Sequence, residues 1–199
     1  MDQQTIGFAL CGSFCTFRKT IDALRPLAEQ YHIIPILSNA AYETDSRFGP
    51  AADFRREIED ICQERIRHTL PDVEPFGPRA TLDLLVVAPC TGNTLGKLAN
   101  GIADSPVTFA CKAHLRNARP VLLAVSTNDG LSASAENLGK LLNRKHYYFV
   151  PFGQDAPQKK PYSLVAHLEK LPEAVAAALA ENANEATLFF EVVDVRPLG

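Results

Sequence analysis

Four short stretches carry the side chains best suited to hold a ligand: Gly12-Ser-Phe-Cys-Thr16, Ser38-Asn39, Cys90-Thr-Gly-Asn-Thr94 and Ser126-Thr-Asn-Asp-Gly130. Their hydroxyls and amides donate and accept hydrogen bonds without changing charge near neutral pH. That chemistry suits a phosphate or a polar heterocycle better than it suits acid–base catalysis. No residue has the spacing of a nucleophile paired with a base, so no catalytic residue is assigned. Taken singly, each stretch has an ordinary structural use, because Ser, Thr and Asn also cap helices.

The apolar runs that precede these stretches decide where they fall. Thr5–Cys11, His32–Leu37, Leu84–Ala88 and Arg119–Val125 read as strands, and Val-rich Leu84–Ala88 suits one buried on both faces of a parallel sheet, ended by Pro89. Helical spacing resumes at Ile21, Leu24, Leu27 and Ala28, and again at Leu95, Leu98 and Ala99. A long amphipathic helix is expected from Ala51 to about Arg67, burying Phe54, Ile58, Ile61, Cys62 and Ile66, with Arg55/Glu59 and Arg56/Asp60 as surface pairs. Pro35 points to a less central strand, and the prolines of Pro71–Pro78 exclude regular helix there. Ser105 and Pro106 begin a helix that runs to Asn117, and Leu138, Leu141 and Leu142 mark another. Tyr147–Val150 is a fifth strand, Pro151–Pro161 a loop, Ser163 to about Glu181 the last helix and Thr187–Val195 a strand-like tail.

Alternating strands and helices predict a three-layer, doubly wound α/β domain with a mainly parallel sheet, Rossmann-like or flavodoxin-like. Residues 1–199 are expected to form one domain, with the tail from 186 to 199 an added edge strand or an oligomer contact. The four polar stretches then share the carboxyl edge of the sheet, where open α/β folds bind ligands. Ser13, Thr16 and Ser38, with helix N-terminal N–H groups beside them, suit a phosphate. Only Gly12 is a glycine in its turn, so the Gly-x-Gly-x-x-Gly fingerprint is missing and a mononucleotide is favoured over a pyrophosphate. Thr91, Asn93 and Thr94, after Pro89, suit a ring and a polyol chain, and Ser126, Thr127 and Asn128 form a second tier. The sum is a polar, nearly neutral pocket fit for flavin mononucleotide or a similar phosphorylated ligand.

Composition narrows the class. With 46% hydrophobic and 22% charged residues the chain is a folded one, and 20 basic against 23 acidic residues leave no footprint for nucleic acid or an anionic membrane. Neither a leader nor an apolar run of bilayer length is read, so a cytoplasmic protein is expected. The cysteines, 11, 15, 62, 90 and 111, lack metal-ligand and redox spacing, and no metal is expected. They read mostly as small buried apolar residues, with Cys15 and Cys90 in turns that face the site.

Val87-Ala-Pro-Cys-Thr-Gly-Asn-Thr94 followed by Lys97-Leu-Ala-Asn-Gly-Ile-Ala-Asp104 resembles the flavoprotein family that includes flavin-containing cysteine decarboxylases and flavin prenyltransferases. Gly12–Phe17, Ala124–Gly130, Tyr147–Asp155 and Lys160–Ala166 are similar to a narrower group within it, the B subunits of dipicolinate synthases. That resemblance implies a cytoplasmic oxidoreductase subunit of sporulating bacteria. It would act with an NADP-binding A subunit to form pyridine-2,6-dicarboxylate from hydroxytetrahydrodipicolinate or dihydrodipicolinate. It also implies a homo-oligomer with flavin mononucleotide (FMN) held here. The cations that would meet a dicarboxylate are Lys159 and Lys160, then Lys97 and Arg47. Two family features are missing: no His lies in Val73–Ala80, and Val125–Gly130 replaces the Pro-x-Met-Asn clamp. Peptidyl-cysteine decarboxylation is therefore not expected, and His68, placed at the end of the amphipathic helix, reads as structural or surface. The alternatives are a cofactor-free assembly subunit, or a flavin-dependent decarboxylase or reductase of another substrate.

Overall fold

Period-two burial along the central strands builds the layers. In β1 (Thr5–Leu10), Ile6, Phe8 and Leu10 enter one core and Ala9 the other; in β3 (Leu84–Cys90), Leu84, Val86 and Ala88 alternate with Leu85 and Val87. β4 (Val121–Thr127) does the same with Leu122 and Ala124 against Val121, Leu123 and Val125. Each of these strands therefore needs a helical layer on both sides. A computed structural model, which describes residues 3–181, supplies those layers. α1 (Phe14–Gln30), α3 (Ala51–Cys62) and α8 (Leu171–Glu181) cover one face through Phe17, Ile21, Leu24, Phe54, Ile58 and Val175. α4 (Leu70–Val73), α5 (Gly92–Ala99), α6 (Pro106–Leu115) and α7 (Ala135–Leu142) cover the other through Val73, Leu95, Leu98, Val107, Ala110 and Leu141.

The strand order is β2-β1-β3-β4-β7-β6, where β2 is His32–Leu37, β6 Phe152–Gln154 and β7 Leu164–Ala166; β5 (Tyr147–Phe149) also pairs with β4. β2, β1, β3, β4 and β5 run parallel, while β7 is antiparallel to both of its neighbours, β4 and β6, so the expected doubly wound, mainly parallel architecture is the one found. β2 lies at the edge, as Pro35 implied, because a residue without an N–H suits an unpaired side. Gly7, at the centre of β1, is where Leu82 and Leu85 close in: a Cβ there would stand 2.7 Å from a methyl carbon of each.

Several boundaries differ from the sequence reading. The third helix stops at Cys62, where Gln63 turns left-handed (φ 53°) and the Glu59 carboxylate accepts from the Ile66 N–H at 2.9 Å. Arg67 then runs beside β2, donating to the Pro35 carbonyl (2.8 Å) and accepting from the Leu37 N–H (3.0 Å). Neither expected surface pair forms. Arg55 donates to the Tyr42 carbonyl and lies 4.5 Å over its ring, while Arg56 stands 3.9 Å from Asp53. A tertiary partner displaces an exposed i,i+4 pair worth only about 0.3–0.5 kcal/mol. Leu70–Val73 is helical after all, a single turn capped reciprocally by Thr69 and Asp72 with Pro71 in its first turn, where no N–H is needed. Pro89 does not end its strand: the pairing shifts between Val87 and Cys90, and Cys90 joins β4 beside Val125. The last helix begins at Leu171 rather than Ser163, because Leu164 and Ala166 are buried in alternation with Val165 and pair as β7. The tail from 182 onward lies outside the described residues.

At the opposite edge of the sheet from the polar turns, His114 is fully buried, with Nε2 3.0 Å from the Pro120 carbonyl and Nδ1 without a partner. Burial pushes its pKa down to about 4, so the folded protein holds it neutral while the unfolded chain takes a proton below its ordinary value near 6.5. Its contribution to stability is complete above pH 6.5 and is lost as pH falls through 4, up to about 3 kcal/mol. In His114→Gln, thermal denaturation should show a shallower fall in stability between those pH values; an unchanged slope refutes the assignment.

Candidate functional site

The chain leaves β1 for β2 through α1 on one face and leaves β3 for β4 through α5 and α6 on the other. The carboxyl ends of neighbouring β1 and β3 are thus a topological switch point, where the connections diverge and open a crevice. The Cys11 N–H donates across it to the Pro89 carbonyl at 3.3 Å.

Ser13 and Ser126, 113 residues apart in sequence, meet at this edge with their Oγ atoms 2.8 Å apart. Ser13 occupies the cap position of α1, yet its side chain makes no capping bond, because it is turned toward β4. Thr16, within the first turn of α1, donates to the Ser13 carbonyl at 2.9 Å and stands 3.1 Å from the Ser13 hydroxyl and 3.4 Å from that of Ser126. Thr16 and Ser126 are buried, so this hydroxyl cluster is part of the wall between α1 and β4.

The second group sits on α5. Thr91 caps the helix, accepting from the Thr94 N–H at 3.3 Å, and Thr94 Oγ1 donates to Cys11 Sγ at 3.2 Å, which ties α5 to the end of β1. Asn93 is exposed on the same first turn. Ser38 caps α2 (Asn39–Glu43), accepting from the Ala41 N–H at 3.3 Å, and its own N–H donates to the Leu10 carbonyl at 3.0 Å. α2 packs against Gly12, where a Cβ would lie 3.2 Å from that of Ala40. Ser126 and Thr127 belong to the extended end of β4, and Asn128 is exposed in the turn beyond.

The cations are distributed differently. Lys97 bonds both carboxylate oxygens of Asp104, at 2.8 and 3.0 Å, away from the first turn of α5. Lys160 pairs with Asp155 at 2.5 Å in the exposed loop between β6 and β7, which also carries Lys159. Arg47 lies 4.9 Å over the Phe48 ring. The thiols supply no buried nucleophile: burial raises the pKa of Cys11 to about 11 and that of Cys62 to about 12, and raises those of Cys90 and Cys111 as well. Cys90 faces the core and not the crevice, because the register shift at the end of β3 turns it inward; Cys15 is exposed. His68 is not on a helix. It stacks on Tyr42, ring centroids 3.7 Å apart, with Nδ1 3.8 Å from Asp72. Among the described residues no group of three or more His, Cys, Asp or Glu is placed to hold a metal ion, and no helix is long and apolar enough to cross a membrane.

Sequence reasoning passed over Asp129, Ser134 and Gly92. Asp129 Oδ1 accepts from the hydroxyls of Thr127 and, at 2.8 Å, Ser134. The Asp-Gly dipeptide signals a turn, and the partners of the carboxylate lie on either side of it, but the approach of that turn to Gly92 of α5 joins residues far apart in the chain, which no local pattern announces.

The model of the Flavoprotein family matches residues 1–177. The chain belongs to that family. It is 42% identical over 175 residues to the dipicolinate synthase B subunit of Bacillus subtilis, covering 87% of this chain and 88% of that one. A crystal structure of the dipicolinate synthase B subunit from Bacillus halodurans, also 42% identical, superposes with a TM-score of 0.81 over 89% of this chain and 91% of that one. Burkholderia xenovorans DmrB in complex with FMN shares the fold at 18% identity, with a TM-score of 0.68 over 92% of this chain and 98% of that one.

The cap on α5 gives a direct test. Thr91→Ala should lower stability by about 1 kcal/mol in chemical denaturation, and Thr91→Ser should restore it. Equal stability of all three proteins would place the Thr94 N–H on another acceptor.

Proposed function

We propose that this chain is the flavin-binding B subunit of a dipicolinate synthase, completed by a nicotinamide-binding A subunit. The observation that carries this reading is the meeting of Ser13, Thr16 and Ser126 at the switch-point crevice, in a chain 42% identical to a dipicolinate synthase B subunit. Hydroxyls free of local carboxylate charge at the N-terminus of a 17-residue helix suit a phosphate monoester. Thr91, Asn93 and Thr94, with Pro89 and Gly12 at the floor and wall, would line the rest of the ligand, and Ser38, Thr127 and Asn128 its rim.

Hydroxytetrahydrodipicolinate loses water to give dihydrodipicolinate, which loses two hydrogens to become pyridine-2,6-dicarboxylate. A flavin bound here would supply a two-electron acceptor for that second step, and NADP on the partner subunit would take the same electron pair on from it. The residues of this chain bind and orient. The α1 and α5 N-termini supply N–H groups, the β4 end supplies hydroxyls, and Lys159 and Lys160 supply the positive charge that two substrate carboxylates require. A carboxylate that reaches Lys160 must replace Asp155, its partner at 2.5 Å. Proton transfer would fall to a group of the A subunit, since the carboxylate described above, Asp129, already accepts from Thr127 and Ser134 and burial keeps the Cys11 thiol protonated. We also read residues 1–199 as one domain that assembles as a homo-oligomer in the cytoplasm.

Purified chain dialysed after addition of FMN should keep visible flavin absorption in stoichiometric amount. Asn93→Leu should abolish retention while leaving the far-ultraviolet circular dichroism unchanged. Mixed with its A subunit, the wild type should form dipicolinate and the variant should not. A colourless protein that still supports dipicolinate formation would make this an assembly subunit without flavin.

A further inference from the structure

A hydroxyl wall holds a ligand only if the turn behind it is rigid, and the turn after β4 is organised by one side chain. Asp129 Oδ1 accepts from the Thr127 and Ser134 hydroxyls, and its main-chain carbonyl accepts from the N–H groups of Ser132 (3.0 Å) and Ser134 (3.1 Å). Ser134, although it precedes α7, makes no capping bond with its side chain, because its hydroxyl is committed to Asp129. The same three oxygens press on the first residue of α5. A Cβ on Gly92 would stand 2.5 Å from Thr127 Oγ1, 2.8 Å from Ser134 Oγ and 2.9 Å from Asp129 Oδ1. Only a residue without a side chain allows that approach.

We infer that Asp129 is a positioning residue of the crevice, holding the end of β4 against the first turn of α5. Through Thr127 it sets the backbone next to Ser126, whose hydroxyl meets Ser13. Through the close approach to Gly92 it sets the turn that carries Thr91, Asn93 and Thr94. Both halves of the candidate site are thereby referred to one carboxylate that need not touch the ligand. Its place at the positive end of α5 also satisfies that helix dipole, which leaves the N-terminus of α1 as the end open to an external phosphate. This inference rests on the reading of the crevice as a flavin mononucleotide site.

The test measures the affinity for FMN and the visible circular dichroism of the bound flavin, alongside the melting temperature. Asp129→Ala and Gly92→Ala should each weaken binding about tenfold and change the flavin signal. Asp129→Asn retains an oxygen acceptor for both hydroxyls and should restore affinity and signal together. Gly92→Ala leaves the carboxylate in place, so it carries the test if Asp129→Ala does not fold. Wild-type affinity and signal in both alanine variants would overturn the positioning role alone, as would an Asn variant as weak as the Ala one. Wild-type protein that takes up no FMN would overturn the ligand reading and the positioning role with it.

Discussion

Burial of β1, β3 and β4 on both faces is the constraint on which the rest depends. Once every side chain of a strand is enclosed and its main chain is paired on both edges, the strand can offer a ligand nothing along its length. Function is pushed to the ends. At the carboxyl ends of β1 and β3 the connections leave toward opposite faces, and the gap is lined by whatever residues begin the next helices. Here those residues are Ser13, Thr16, Thr91, Asn93 and Thr94, with Ser126 reaching in from β4.

The side-chain bonds at this edge cross between elements where a local bond would have been available. Ser13 and Ser134 both precede helices and both leave the cap unmade, one for Ser126 and the other for Asp129. Thr94 reaches Cys11 rather than solvent. A cap bond contributes about 1 kcal/mol to its own helix. A cross-element bond instead fixes the distance between two walls, which is what a rigid site needs. Thr91 and Ser38, by contrast, do cap their helices.

Charge is kept out of the hydroxyl cluster. Lys97 is neutralised by Asp104 and Lys160 by Asp155, and burial keeps the Cys11 and Cys90 thiols protonated. The fully buried imidazole, His114, lies at the other end of the strands. A crevice built this way offers an anionic group oriented hydrogen-bond donors and helix ends rather than a net positive charge.

Much of this was legible in the residues alone. Alternating apolar runs and helical spacings determine a doubly wound sheet, and polar residues directly after four of those runs determine which edge carries the hydroxyls, because both follow from periodicity and chain direction. The motif around Val87–Asp104 determines the family. The ends of elements were less legible: α3 stops at Cys62 and β7 replaces a helical start at Ser163, since Arg67 finds β2 and Leu164 finds β4 only after the chain has folded. Which hydroxyls cap and which cross-link was decided by tertiary structure too. Ser13 looks like any N-cap until Ser126 arrives beside it, and Asp129 looks like any turn residue until Gly92 is packed against it. Sequence determines which groups stand at the edge; only packing, which brings together residues far apart in the chain, decides which of them meet.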